Sequence, residues 1–324
     1  MSGQPGGARA RDEVTGVAQS RKRVLARLGQ AVLVAAIAYF LIASLRRSWA
    51  SIEGYAWEVR PGWLALSAFA FAGFYCSQAL GWGFLLRGFE MSSPLPLATA
   101  TWAKSILARY LPGTVFMFVG RAWMCHAQGL PLDRVSAAMF YEQVLGVCSA
   151  LVALAVLFPF WEYRPSATAF ALLALPLLIA VLHPRVFAPL ANVVLRWLRR
   201  PPLAVVLRFR SVVVLLAYYS ATWIFAGAGA WFLGKGTLDL AYGALPVVVA
   251  AYALAYVAGM VAFMIPSGIG VREAVLTASL ARFLPGGVAL AWALLLRVWV
   301  TVIELVFVAA AVAVASVSDR WGRR

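Results

Sequence analysis

The sequence predicts an all-α, polytopic integral membrane protein with six to eight transmembrane helices, and three observations lead there. Hydrophobic residues make up 63% of the 324 and charged residues only 12%, with a mean hydropathy of +0.85, far from a soluble globular domain. Apolar runs of about twenty residues recur along the chain, the length that crosses ~30 Å of hydrocarbon. The net charge of +16 is carried by basic residues that flank those runs. In a soluble protein such a charge would suggest nucleic acid. At the ends of apolar segments it is a topology signal and an attraction to anionic lipid, so nucleic acid is not an expected partner. Membrane segments nearly consume the chain, leaving no room for a soluble catalytic domain.

Residues 1–24 read as a basic tail. Arg9, Arg11, Arg21, Lys22 and Arg23 stand there against Asp12 and Glu13, which places the tail in the cytoplasm. Its Gly, Gln and Ala content offers no core, so it is expected to be mobile. A single transmembrane domain should occupy 25–317, with 318–324, carrying Arg320, Arg323 and Arg324, as a second cytoplasmic tail. The run 28–45 follows a long polar stretch and has no cleavage site, so it reads as a retained helix. Further spans fit 62–86, 131–160, 167–183, 211–233 and 287–316. Arg185, Arg196, Arg199, Arg200, Arg208 and Arg210 make 185–210 a cytoplasmic loop without an acid; Arg46 and Arg47 face outward as a local exception. Within that loop Val186, Phe187, Leu190, Val193, Val194 and Trp197 recur at helical spacing. Residues 185–200 are therefore a basic amphipathic helix in the membrane interface, with Pro189 expected in its first turn.

Counting crossings constrains the rest. From Arg87 to Arg185 the spans 131–160 and 167–183 already return the chain to its starting side, so 95–126 must enter and leave on the cytoplasmic face as a re-entrant hairpin. By the same parity 240–283 makes no net crossing and opens to the opposite, periplasmic face. Residues 243–264 are also long enough to span alone, with 270–283 as the return limb; the parity is then unchanged and the helix count rises. Two broken-helix hairpins of opposite orientation suggest an inverted-repeat transporter.

Each hairpin contains a break beside charge: "RYLPGTVFMFVGR" over 109–121 and "FMIPSGIGVRE" over 263–273. Proline removes a helix hydrogen bond, and glycine opens backbone shapes closed to other residues. A helix that starts after a break presents free N–H groups, a ready anion site. Irregular backbone at this depth is tolerated around a cavity or within protein. One such break reads as readily as a simple kink; two, both with arginine, favour an anion site. Its substrate-binding residues would be Arg109, Pro112, Gly113, Arg121, Pro266, Gly268, Gly270 and Arg272. Glu142, Glu273, Arg297 and Glu304 are the other ionisable groups at depth. Arg297 and Glu304, seven apart, share a helix face. Ion pairing that fixes the bundle and a coupling role in transport are both open for these four.

Other chemistry lacks its residues. Cys76, Cys125 and Cys148 show no paired spacing, so neither a disulfide nor a thiolate metal site is expected. Cys125 beside His126 has no second cluster to complete a metal set. No His-Glu-x-x-His, Gly-x-Ser-x-Gly or complete Gly-x-x-x-x-Gly-Lys-Ser/Thr occurs. The loop 46–60 holds Glu53 and Glu58 but not the paired acids of a lipid-linked glycosyltransferase. The expectation is a protein that is not an enzyme, has no cofactor or metal, and transports passively or by ion coupling.

The stretch "ARYLPGTVFMFVGRAWMCHAQGL", Glu142 in the following span, "AYVAGMVAFMIPSGIGVREAVLTASL" and Arg297 together resemble a flippase-like family. It is named after the transmembrane region of lysylphosphatidylglycerol synthase and has hopanoid- and glycolipid-associated members. The resemblance runs from about residue 25 to 316 and is most specific at Pro-Ser-Gly-Ile-Gly-Val-Arg-Glu. Thr114 stands where many relatives carry a basic residue, and Pro-Ser-Gly replaces the commoner Pro-Gly-Gly at 266–268. No soluble aminoacyl-transfer domain is present, so synthase activity is not expected. The resemblance implies a multi-pass protein of the bacterial inner membrane that moves a lipid with an anionic or modified head group between leaflets. Both termini would be cytoplasmic. The expected partner is a membrane lipid, be it a phospholipid, a hopanoid or a polyprenyl-phosphate-linked lipid; a homo-oligomer is allowed. The alternatives are an integral-membrane transferase on a polyprenyl-linked substrate and a scaffold subunit for lipid enzymes. The lipid's identity, the direction of transport and the coupling ion stay open.

Overall fold

The structure, a computed structural model, describes residues 49–110, 115–162, 182–197, 205–262 and 268–321, with isolated residues at 39, 42, 43, 46, 176, 180 and 202. Its regular elements are helical: α1 (Trp49–Glu53), α2 (Pro61–Gly88), α3 (Leu95–Ile106), a 3-10 turn (Leu107–Tyr110), α4 (Val115–His126), α5 (Leu132–Glu162), α6 (Pro184–Trp197), α7 (Phe209–Thr237), α8 (Leu245–Val261), α9 (Val271–Leu280) and α10 (Gly286–Trp321). Five helices among the described residues are long and apolar enough to cross a membrane: α2, α7, the Leu132–Leu157 part of α5, α8 with its leading turn from Tyr242, and α10 to Ser318. The protein is an all-α, multi-pass membrane protein. The expected spans 62–86, 131–160, 211–233 and 287–316 lie within α2, α5, α7 and α10. The expected tail 1–24 lies outside the described residues, as do the spans 28–45 and 167–183 apart from isolated positions.

The pair α2 and α7 forms the central seam. Close approach follows from small residues, as membrane helices need in the absence of a hydrophobic drive between them. A Cβ added at Gly229 would stand 2.8 Å from the Phe71 ring, and Ser67 Oγ donates to the Gly229 carbonyl at 2.7 Å. At the end of α7, Asp239 bridges Lys235 (2.7 Å) and Arg60 (2.6 Å), tying the loop to the start of α2. Hydrogen bonds from Lys235 and then Arg60 lower the Asp239 pKa to about 2.

The remaining helices fall into two similar series. In the first, α3 leads through the 3-10 turn and residues 111–114 to α4 and then to the long α5. In the second, α8 leads through residues 263–267 to α9 and then to the long α10. Within each series neighbours pack on one another. Between series they exchange partners: α3 lies on α10, and α8 lies on α5. The two series differ in length. Helices α3 and α4 have 12 residues each, about 18 Å, too short for the bilayer core. In the second series α8 with its turn can cross while the 10-residue α9 cannot. The length of α8 thus fits the spanning version of 243–264.

Helix α6 matches the amphipathic segment. Val186, Leu190 and Val193 are exposed, while Phe187 is buried with its ring 4.9 Å from Tyr141. Pro189 sits in the second turn rather than the first. The missing N–H would have served the carbonyl of Arg185, an exposed residue that water or lipid head groups can reach, so the helix continues past it.

Candidate functional site

The short helices α3, α4 and α9 border one cavity of ≈ 330 Å³, whose wall is completed by α2, α5, α7, α8 and α10. Six ionisable residues described on its lining are Arg121, Glu142, Arg272, Glu273, Arg297 and Glu304. All six were expected at depth, and the fold brings them together from both series.

Arg121 projects from the second half of α4 toward Glu142, ten residues into α5. One guanidinium nitrogen donates to Glu142 Oε2, and Arg121 Nε donates to Ser105 Oγ of α3 at 2.8 Å. The guanidinium carbon lies 4.8 Å from the Trp82 ring centroid on α2. The other Glu142 oxygen accepts from Trp102 Nε1 at 2.6 Å. Side-chain exposures of 3% and 11% make this a buried pair with most of its hydrogen-bonding capacity used. Such pairs contribute little net stability, but stranding one partner costs about 3–5 kcal/mol.

Arg297 of α10 donates to Glu273 Oε1 at 2.5 Å. The second oxygen of Glu273 accepts from the Gly270 N–H at 2.6 Å, so one carboxylate is both counter-ion and cap for α9. Gly270 has φ +86° and Gly268 φ +62°, conformations that exclude side chains with a Cβ at little cost only in glycine. The expected helix start is therefore found, with α9 running from Val271 after Gly270. Its free donors are fewer than expected, because the first-turn Glu273 already supplies an anion. The open cation here is Arg272. Its stem lies in a slot made by two glycines: a Cβ on Gly259 would stand 2.9 Å from Arg272 Cγ, and one on Gly268 3.2 Å from it. Its guanidinium carbon is 6.0 and 5.9 Å from the Tyr252 and Tyr256 ring centroids, within cation–π range. Among the described residues no carboxylate pairs with Arg272.

Glu304 is 1% exposed and accepts from Tyr75 OH at 2.7 Å. Arg297 and Glu304 both face the cavity from α10, as their spacing requires, yet Arg297 reaches across to α9 and Glu304 to α2. The backbone of Arg109 belongs to the 3-10 turn; Pro112, Gly113 and Pro266 lie outside the described residues. Tyr252, Tyr256 and Gly259 were not anticipated. Their signal was available: positions i, i+4 and i+7 form one helix face just before the second break. Gly229 to Lys235 has the spacing of a phosphate-binding loop's first seven positions, but Gly236 stands in the Ser/Thr place and the stretch is continuous α7 helix. Among the described residues no group of three His, Cys, Asp or Glu could hold a metal.

The family model for the lysylphosphatidylglycerol synthase transmembrane region matches residues 27–314, and the chain belongs to that family. No curated protein matches it.

Proposed function

We propose that this member of the lysylphosphatidylglycerol synthase transmembrane-region family is a translocase for a lipid with an anionic head group, acting without covalent chemistry. One observation carries the reading: a ≈ 330 Å³ cavity inside a multi-pass bundle, bordered by the helices that flank both breaks, into which Arg272 brings a guanidinium that no carboxylate among the described residues pairs. That volume suits a head group rather than a whole lipid, so the acyl chains stay in the bilayer. Ionised side chains at membrane depth are costly and serve a path or a site when they face a cavity. The two contact pairs, Arg121–Glu142 and Arg297–Glu273, fasten each short helix to its long neighbour and hold the walls. Arg272, resting on polarisable tyrosine faces, is the group that can turn to a phosphate with least loss. Glu142, Glu273 and Glu304 are the groups that could take a proton as the cavity changes sides. In this reading the membrane is the bacterial inner membrane, with both termini and 185–210 in the cytoplasm.

The test is reconstitution into liposomes carrying a head-group-labelled anionic phospholipid, with dithionite quenching of the outer leaflet. Wild-type protein should raise the quenched fraction above one half, and Arg272→Ala should lower the rate by roughly ten-fold or more, the loss expected for a charge-assisted contact. The lipid recovered afterwards should have unchanged mass. Quenching no faster than in empty liposomes, or a lipid of altered mass, would overturn the proposal.

A further inference from the structure

Helix α6 carries a pattern that the cavity does not use. Among its described side chains Phe187 is the buried one, whereas Val186, Leu190 and Val193 are 44%, 51% and 54% exposed. At about 100° per residue, those three share an arc of roughly 60°. Phe187 stands at one edge of that arc, toward α5, and the exposed Arg185 and Arg196 stand at the other. The helix thus has a side against protein, an uncovered apolar side and a cationic side. The whole stretch 185–210 holds six arginines and no acid. Its return limb brings more charge to the same end of the molecule. Leu207 is buried, 3.0 Å from where a Cβ on Gly88 would stand, with Arg208 and Arg210 just after it and Arg87 beside Gly88, all exposed. The acid near this end, Glu90, lies 3.5 Å from Arg134. An apolar strip edged by arginines matches an anionic bilayer surface in both respects: the strip enters the acyl boundary while the arginines meet the head-group charge.

We propose that α6 is a docking surface for an anionic leaflet, separate from the cavity, and that Phe187 carries its docked state to α5. The occupant is a charged surface and not one head group, because the arginines of α6 are exposed and none of its described polar side chains is buried. The Phe187 ring lies 4.9 Å from Tyr141 and 6.1 Å from Phe140. Tyr141 is 1% exposed and also meets Phe89, just past the end of α2, at 5.5 Å. It is therefore held between α2 and α6. The next residue along α5 is Glu142, which binds Arg121 on the cavity wall. A leaflet that takes up the strip and the arginines holds Phe187 against Tyr141, and with it this turn of α5. Without that leaflet charge, α6 is held chiefly by one ring. Coupling of this kind is reciprocal, so a shift of α5 at Tyr141 also changes how firmly α6 docks. The inference goes beyond the translocase reading and does not rest on it.

The experiment uses the full chain, with Cys76, Cys125 and Cys148 replaced by alanine, in nanodiscs. Their lipid is phosphatidylcholine alone, or with about one third phosphatidylserine or phosphatidylglycerol to charge the surface. Val193→Cys, carrying an environment-sensitive dye, reports docking of α6. Gln143→Cys, on the cavity lining beside Glu142, reports α5 through its rate of reaction with uncharged N-ethylmaleimide. Both anionic lipids should blue-shift the dye alike, and high salt should reverse the shift by screening. Arg185→Gln with Arg196→Gln should weaken docking roughly twenty-five-fold, at about five-fold per arginine. Gln143→Cys should react about five-fold more slowly in the anionic nanodiscs. The double arginine variant should lose that difference and Arg272→Ala should keep it, which separates surface docking from a lipid in the cavity. Phe187→Ala, and Phe187→Leu should the first fail to fold, should keep the dye shift and lose the rate difference. A dye shift that is absent, confined to one anionic lipid or untouched by the arginine changes would overturn the docking surface. A reaction rate indifferent to lipid charge, a difference abolished by Arg272→Ala, or one that survives both Phe187 variants would overturn its link to α5. Translocation is not measured in any arm, so failure here and failure of the translocase reading are distinguishable.

Discussion

Arg121 and Arg272 sit on corresponding short helices, and their surroundings assign them different work. Arg121 donates to Glu142 and Ser105 and covers Trp82, so its removal leaves a carboxylate buried with Trp102 Nε1 as its remaining named donor. Arg121→Gln should therefore cost about 3–5 kcal/mol and lower the melting temperature by several degrees. Arg272→Gln strands no carboxylate among the described residues and gives up mainly contact with two tyrosine faces, an effect on the order of 1 kcal/mol. Thermal melts of the two variants should differ clearly, while anionic-lipid binding should fall more in Arg272→Gln. Equal melting temperatures would contradict this division. The sequence marked these charges through their depth, but not their partners. The pairs join residues 21 and 24 apart in sequence across different helices, whereas the helical period linked Arg297 to Glu304 on one face. A shared face places two side chains on the same cavity wall; it does not make them a pair.

At the scale of elements, the long apolar helices α2, α5, α7 and α10 were legible because twenty or so apolar residues in lipid have few alternatives to helix. The second series was less so, since the run before Pro266 satisfies both a hairpin limb and a spanning helix, and only the extent of α8 favours the latter. The start of α9 was legible from Gly268 and Gly270, whose positive φ values are the reason for glycine there. What the pattern could not show is that Glu273 turns back to cap Gly270 and binds Arg297 at the same time. This coupling makes the helix start and the ion pair one unit. Gly270→Val forces a β-branched residue into the left-handed region, costing about 1–2 kcal/mol or more, and shifts the carboxylate that holds Arg297. The expected outcome is a loss of both melting temperature and lipid affinity, where Arg272→Ala loses mainly affinity. A Gly270→Val protein with wild-type stability would show that α9 does not need this cap.

For the molecule as a whole, the informative feature is the exchange of partners between the two series, with α3 on α10 and α8 on α5. Each long helix thereby carries its own short helix, by an ion pair, and the leading helix of the other series, by packing. The polarity of those ion pairs is reversed: the short helix supplies the arginine in the first series and the carboxylate in the second. The partner exchange is not readable from periodicity, since α3 and α10, like α8 and α5, are separated in sequence by several intervening helices. It bears directly on the crossing count, from which we propose that the two series lie in the membrane with opposite orientation. In that orientation the turn after α4 and the turn after α9 lie on opposite faces. Ala127 and Ala281 are exposed residues in these two turns and suit single-cysteine labelling after Cys76, Cys125 and Cys148 are replaced. A membrane-impermeant maleimide applied to intact cells, or to spheroplasts if the outer barrier intervenes, should label Ala281→Cys and spare Ala127→Cys. Inverted membrane vesicles should give the reverse, and a cysteine at Pro202, in the basic loop, should follow Ala127→Cys. Labelling of positions 127 and 281 from the same face would remove the opposed orientation, and with it the account in which one cavity is presented to each leaflet by similar structures entering from either side.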